Sequence, residues 1–130
     1  MSKGKVLVID DEDIVLKSCH RVLTPEGYDV KTAKTGEDGL KMLEKKPFNI
    51  ALVDIKMPDM DGIEVLRRIK GKWPQTRVII ITGYSTIATA VSTLKLGAYD
   101  YIEKPFTPDD ILSVVKEALG QEVKKDMNYP

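Results

Sequence analysis

Short apolar runs alternate with amphipathic stretches five times along the chain. The first run, Val6-Leu7-Val8-Ile9, stops at Asp10-Asp11. Val15, Cys19 and Val22 then recur at i, i+4 and i+7, one face of a helix, which ends at the breaker residues Pro25-Glu26-Gly27. Tyr28 to Ala33 alternates apolar and polar residues, as a half-covered strand does. Thr35, with Asp38 three residues on, suits the start of a second helix that Pro47 closes. Ile50-Ala51-Leu52-Val53 ends at Asp54, and a loop containing Pro58 and Gly62 leads to a third helix with Ile63, Leu66 and Ile69 inward. Val78-Ile79-Ile80-Ile81 ends at Thr82-Gly83. Ser85 is placed to cap a fourth helix, which carries Ile87, Val91 and Leu94 inward and stops at Gly97. Tyr99 to Glu103 makes a last strand before Lys104-Pro105, and Thr107, Pro108 and Asp110 start a fifth helix with Ile111, Val115 and Ala118 on its inner face.

Strands alternating with helices at this spacing predict an α/β domain, a parallel sheet with helices on both faces. A parallel strand covered on both faces reads as continuously apolar, whereas an edge strand can stay half polar. Strands one, three and four are continuous; two and five are not. Two and five are therefore the expected edges, which fits the order 2-1-3-4-5 of the flavodoxin-like fold. Residues 121–130 are polar and lack periodicity, so the expected division is a domain over 1–120 and a polar tail or start of a linker over 121–130.

Composition narrows the classes without choosing among them. At 42% hydrophobic and 31% charged residues, the 130-residue chain is globular in type and long enough for one core. Twenty basic residues balance twenty acidic ones, which gives no support to nucleic-acid binding by this domain itself or to a membrane surface. No apolar run approaches the roughly 20 residues of a bilayer span. The single cysteine, Cys19, excludes an internal disulfide and fits a reducing compartment, so a cytoplasmic location is expected.

Ligands of open α/β sheets bind beyond the carboxyl ends of the strands, where strand order reverses. Here that point lies between strands one and three, which end in Asp10 and Asp11 on one side and Asp54 on the other. Thr82 ends strand four and Lys104 ends strand five. Three carboxylates in one crevice repel each other unless neutralised. A hard divalent cation with oxygen ligands, Mg²⁺ or Mn²⁺, does this, and a lysine ammonium suits a phosphate as a compact point charge. A carboxylate can itself attack phosphorus, giving an aspartyl-phosphate, and an ordinary aspartate with pKa about 3.9 is ionised at neutral pH without a general base.

The segments Val8-Ile9-Asp10-Asp11-Glu12, Leu52-Val53-Asp54-Ile55-Lys56-Met57-Pro58, Asp61-Gly62, Ile81-Thr82-Gly83 and Tyr101-Ile102-Glu103-Lys104-Pro105-Phe106 together resemble response-regulator receiver domains of two-component phosphorelay signalling. The resemblance covers about residues 4–120. It implies that Asp54 is the phosphoacceptor, with Thr82 and Lys104 completing the catalytic set. It further implies a Mg²⁺ site made by Asp11 directly, Asp10 through water, Asp54, and the main-chain carbonyl of Lys56. Thr82 and Tyr101 become the switch pair, Pro105 a cis proline, and Lys56 and Tyr84 residues that tune phosphate lifetime. The implied partners are a sensor histidine kinase or phosphotransfer protein and a phosphorylation-dependent second copy. The surface implied to change is that of the fourth helix, fifth strand and fifth helix. Such a protein is a signalling module that catalyses only its own phosphorylation and dephosphorylation, and the wording of the strand-three and strand-five motifs is similar to receivers fused to AAA+ transcription activators.

Each residue also has an ordinary reading. Asp10 and Asp11 can cap the first helix, Asp59 and Asp61 can shape a loop and a helix start, and Cys19 reads as core. His20, between inward positions, reads as solvent-facing and not as an internal phosphodonor. Two other functions use similar chemistry. Haloacid-dehalogenase-like phosphatases also form an aspartyl-phosphate, but carry the nucleophile on strand one. Flavodoxin-like cofactor binders need a phosphate cradle, whereas the loop from Asp10 to Asp13 is acidic.

Overall fold

The computed structural model describes residues 2–83 and 86–121. The strands are Lys5–Ile9 (β1), Asp29–Ala33 (β2), Ile50–Asp54 (β3), Arg77–Thr82 (β4) and Asp100–Glu103 (β5). The helices between them are Asp13–Leu23 (α1), Gly36–Lys45 (α2), Gly62–Lys72 (α3), Ile87–Lys95 (α4) and Pro108–Ala118 (α5), with a single 3-10 turn at Thr24–Glu26. All strand pairs are parallel, and their order is β2-β1-β3-β4-β5. The flavodoxin-like order expected from the apolar runs is thus the observed one. Among the described residues no helix is long and apolar enough to cross a membrane.

The continuous runs are apolar because both sheet faces are covered. Val6, Val8, Ile50, Leu52, Ile79 and Ile81 pack with residues of α1 and α5. Leu7, Ile9, Ala51, Val53, Val78 and Ile80 pack on the other face against Leu43 of α2 and Val65, Leu66 and Ile69 of α3. Successive strand side chains point to opposite faces, so each run feeds both layers. At the edges, β2 and β5 keep partly exposed residues.

Three helix faces differ in detail from the periodic reading. In α1, Leu23 is fully buried and Val22 only half-buried; in α3, Val65 takes the place expected of Ile63, which is half-buried. The larger difference is α4. Ile87, Val91 and Leu94, the expected inner face, are 86%, 44% and 47% exposed. The buried residue is Thr93, flanked by half-buried Thr89 and Ala90. Small side chains form the covered face of this helix, and its apolar stripe faces outward. A stripe at helical spacing marks an apolar face, but not what the face meets. The cap of α4 is Thr86, whose hydroxyl oxygen accepts from the Thr89 N–H at 3.0 Å. Ser85, the expected cap, lies outside the described residues, as do Tyr84 and all of the expected tail beyond Gln121.

The other caps follow the sequence pattern. Thr35 accepts from the Asp38 N–H at 3.0 Å, and Thr107 and Asp110 form a reciprocal capping box. After α5, the Gln121 side chain donates to the Lys3 carbonyl at 2.8 Å and accepts from the Tyr28 hydroxyl. This clasp sits beside the start of β1.

Candidate functional site

Strand register sets the site. Ile9 is level with Val53, so Asp10 follows β1 where Asp54 ends β3. Asp54 is level with Ile81, which puts Thr82 one residue further on, and Thr82 is level with Glu103, which puts Lys104 one residue beyond β5. The Lys104 N–H donates to the Thr82 carbonyl at 2.8 Å, tying these two positions together through the backbone. The Lys104–Pro105 peptide bond is cis.

The side chains converge as the strand ends do. The Lys104 ammonium lies 2.8 Å from Asp10 Oδ2, 2.7 Å from Glu12 Oε1 and 3.6 Å from Asp54 Oδ2. Asp10 is fully buried; its Oδ1 accepts from the Glu12 N–H at 2.9 Å. Its Oδ2 accepts no well-aligned hydrogen bond, so charge holds it to Lys104. Asp54 is only 4% exposed and lines a cavity of about 310 Å³ together with Asp11, Glu12, Lys56, Thr82 and Lys104.

Burial and then the Asp10 charge push the Asp54 carboxyl up to about 6, against the pull of Lys104. Asp10 is raised as well, first by burial, with Lys104 and the Glu12 amide opposing. Burial alone would lower Lys104. Its close contacts with Asp10 and Glu12 and the charges of Asp10 and Asp54 outweigh this and hold the ammonium above its ordinary value. The cluster is therefore short of positive charge.

That shortage bears on a cation. Among the described residues, Asp10, Glu12 and Asp54 each offer a carboxylate oxygen within 4.8 Å of the others. Hard oxygen donors this close, one of them buried without a hydrogen bond, fit a divalent ion such as Mg²⁺. Asp11 lies on the wall of the same cavity.

The loop after β3 is held tightly. A Cβ on Gly62 would stand 2.1 Å from the Asp54 carbonyl oxygen, and the Gly62 N–H donates to the Ile55 carbonyl at 2.8 Å. Asp61 caps α3 by accepting from the Ile63 N–H at 2.7 Å. Asp59 accepts from the Gly36 and Glu37 N–H groups at 3.2 and 3.1 Å, so it caps α2 from a different segment. Tyr101, paired with Ile80, is half-buried against the core layer under α3. His20 is exposed, and Cys19 is wholly buried, its thiol pushed up to about 12 by that burial.

The residue that sequence reasoning passed over is Glu12. It stands two positions after Asp10 at the start of α1, where a solvated glutamate reads the same way, and only the reach of Lys104 across from β5 distinguishes it.

Comparison with known proteins agrees with this geometry. The sequence model of the response regulator receiver domain matches residues 6–116. An NtrX-like response regulator of Rickettsia bellii is 42% identical over 120 residues, covering 91% of this chain and 25% of that protein. The acid tolerance regulatory protein ActR of Rhizobium meliloti is 35% identical over 123 residues, covering 95% of this chain and 63% of that protein. The chain thus spans a quarter of one relative and under two thirds of the other. Among solved structures, a CheY-like response regulator receiver domain protein from Methanospirillum hungatei superimposes with a TM-score of 0.88 at 40% identity, over 92% of this chain and 95% of that one. The chain belongs to the response regulator receiver domain family of two-component signalling proteins.

Proposed function

We propose that Asp54 accepts a phosphoryl group from a partner histidine kinase, a phosphotransfer protein or a small phosphodonor, in a Mg²⁺-dependent reaction. The observation that carries this reading is the nearly buried Asp54 carboxylate on the wall of an acidic cavity, with one lysine ammonium 3.6 Å away. An Asp54 oxygen attacks phosphorus while the bond from phosphorus to the donor nitrogen or oxygen breaks and its electron pair leaves with the donor. Asp10, Asp11 and Asp54, with the Lys56 carbonyl, are the groups to hold the cation, which neutralises charge on the transferring oxygens when bound. Lys104 pairs with the phosphoryl group, and Thr82 donates its hydroxyl to it. Lys56 and Tyr84, each two residues beyond a site residue, tune how long the phosphate survives.

Phosphorylation adds roughly −1.5 to −2 charges at Asp54. Thr82 moves toward the new oxygens, Tyr101 fills the space behind it, and the surface of α4, β5 and α5 changes. That surface carries the exposed apolar stripe of Ile87, Val91 and Leu94, and its contact with a second copy or an output domain is the signal. Such coupling is a population shift, driven by the difference in phosphate contacts between two states. The receiver unit spans 1–120 with 121–130 as tail or linker, it acts in the cytoplasm, and its output is control of transcription.

The test is incubation with Mg²⁺ and acetyl phosphate or beryllofluoride, following mass and oligomeric state. Wild type gains one phosphoryl group and self-associates; Asp54→Asn does neither. Equal labelling of Asp54→Asn would refute the assignment.

A further inference from the structure

We propose that Glu12 is a positioning residue that holds the Lys104 ammonium off Asp54 in the unphosphorylated state, so that phosphoryl uptake requires this ion pair to be exchanged. The inference rests on the reading of Asp54 as phosphoacceptor.

The distances rank the three anions around the ammonium. Glu12 is nearest at 2.7 Å, Asp10 follows at 2.8 Å, and Asp54 is last at 3.6 Å, beyond hydrogen-bond reach. The ammonium donates its hydrogen bond to Glu12 and makes its next closest ion pair with Asp10, and neither group takes part in bond formation. These two contacts are not equally easy to give up. Asp10 is fully buried, and removing its cation would strand a charge without water. The Glu12 side chain is 54% exposed and keeps its hydration when released. Glu12 is therefore the contact that yields.

Its position is built, not incidental. The Glu12 N–H donates to Asp10 Oδ1, Asp10 Oδ2 meets Lys104, and Lys104 returns to the Glu12 carboxylate. The three residues close a ring that joins the end of β1 to the end of β5. Glu12 and Lys104 also line a second, apolar cavity beside Val15 and Phe106, so the ion pair stands at an open boundary and Glu12 can swing aside without displacing the core. A phosphoryl group on Asp54 brings more charge than Glu12 and oxygens nearer the ammonium, and the pair is exchanged. Removing the Glu12 contact leaves Lys104 free for that partner from the outset.

The experiment uses the full 130-residue chain. Beryllofluoride is titrated at saturating Mg²⁺ into wild type, Glu12→Gln and Glu12→Asp, and bound fluoride is read by ¹⁹F NMR. Glu12→Gln half-saturates at about three- to fivefold lower beryllofluoride, the scale of one partly exposed ion pair. Glu12→Asp keeps the charge but is one methylene short of Lys104, and it moves in the same direction. Damage to the fold weakens uptake, so tightening separates positioning from structure. Uptake by wild type with Glu12→Gln equal or weaker overturns the inference alone. Glu12→Asp matching wild type while Glu12→Gln tightens also overturns it, because bulk charge then accounts for the effect. No uptake by wild type overturns the phosphoacceptor reading and this one with it.

Discussion

Lys104 stands 2.8 Å from Asp10 but 3.6 Å from Asp54, although Asp54 is the one that opens onto the cavity. The lysine is engaged first by the carboxylate that water cannot reach. Asp54 is left under-neutralised, and its raised affinity for a proton expresses this.

Asp54→Asn is expected to stabilise the fold at pH 7. The folded-state value of about 6 exceeds the ordinary 3.8, so the folded state binds more protons between them. Wild-type stability therefore falls as pH rises through that window. The amide removes this cost, a gain of up to about 3 kcal/mol at pH 7 that fades toward pH 4. Urea titrations at both pH values measure it, and a destabilised Asp54→Asn at pH 7 would contradict it.

Lys104→Met strands the fully buried Asp10. A loss of about 3 kcal/mol is expected at pH 7, since breaking a buried pair leaves an uncompensated charge. The loss shrinks at pH 5, because Asp10 takes up a proton more readily once its cation is gone. A pH-independent loss would assign the lysine's role to packing.

Two glycines in α3 should respond oppositely to alanine. Gly62→Ala drives a Cβ into the Asp54 carbonyl, whose backbone cannot yield cheaply. More than about 2 kcal/mol and most phosphoryl uptake should be lost. Gly71→Ala meets nothing within 4 Å and should stabilise by up to about 1 kcal/mol with uptake unchanged. Thermal unfolding with acetyl phosphate labelling tests both.

Asp59→Ala should loosen α2, although Asp59 lies 22 residues beyond Glu37 in the sequence. Loss of this cap is expected to cost about 1 kcal/mol. Faster amide hydrogen exchange at Gly36 and Glu37 would locate the effect, and unchanged exchange there would refute it.

Val91→Asp and Leu94→Asp change exposed positions, so stability should move by no more than about 0.5 kcal/mol. Self-association of the phosphorylated protein should fall at least tenfold by sedimentation. Undiminished association would move the interface off α4.

Sheet order was legible because covered and edge strands carry different apolar patterns, as Val78–Ile81 and Tyr28–Ala33 illustrate. The strand-end residues Asp10, Asp54, Thr82 and Lys104 were legible for the same reason, since the end of an apolar run marks the end of a strand. The orientation of α4 was not. Periodicity groups Ile87 with Val91 and Leu94 but carries no information on whether the sheet lies under them, and Thr93 with Ala90 gives no apolar signal of its own. Glu12 was hidden because its partner is 92 residues away and reaches it only in the folded chain.

The Gln121 clasp anchors the end of α5 to the opposite pole of the sheet from the acidic cluster. It joins Lys3 and Tyr28 beside the start of β1, while Asp54 lies at the far ends of the strands. A five-residue strand separates these poles by about 17 Å. Gln121 therefore sits at the pole of the sheet remote from Asp54, and the packed layers of the domain lie between the two.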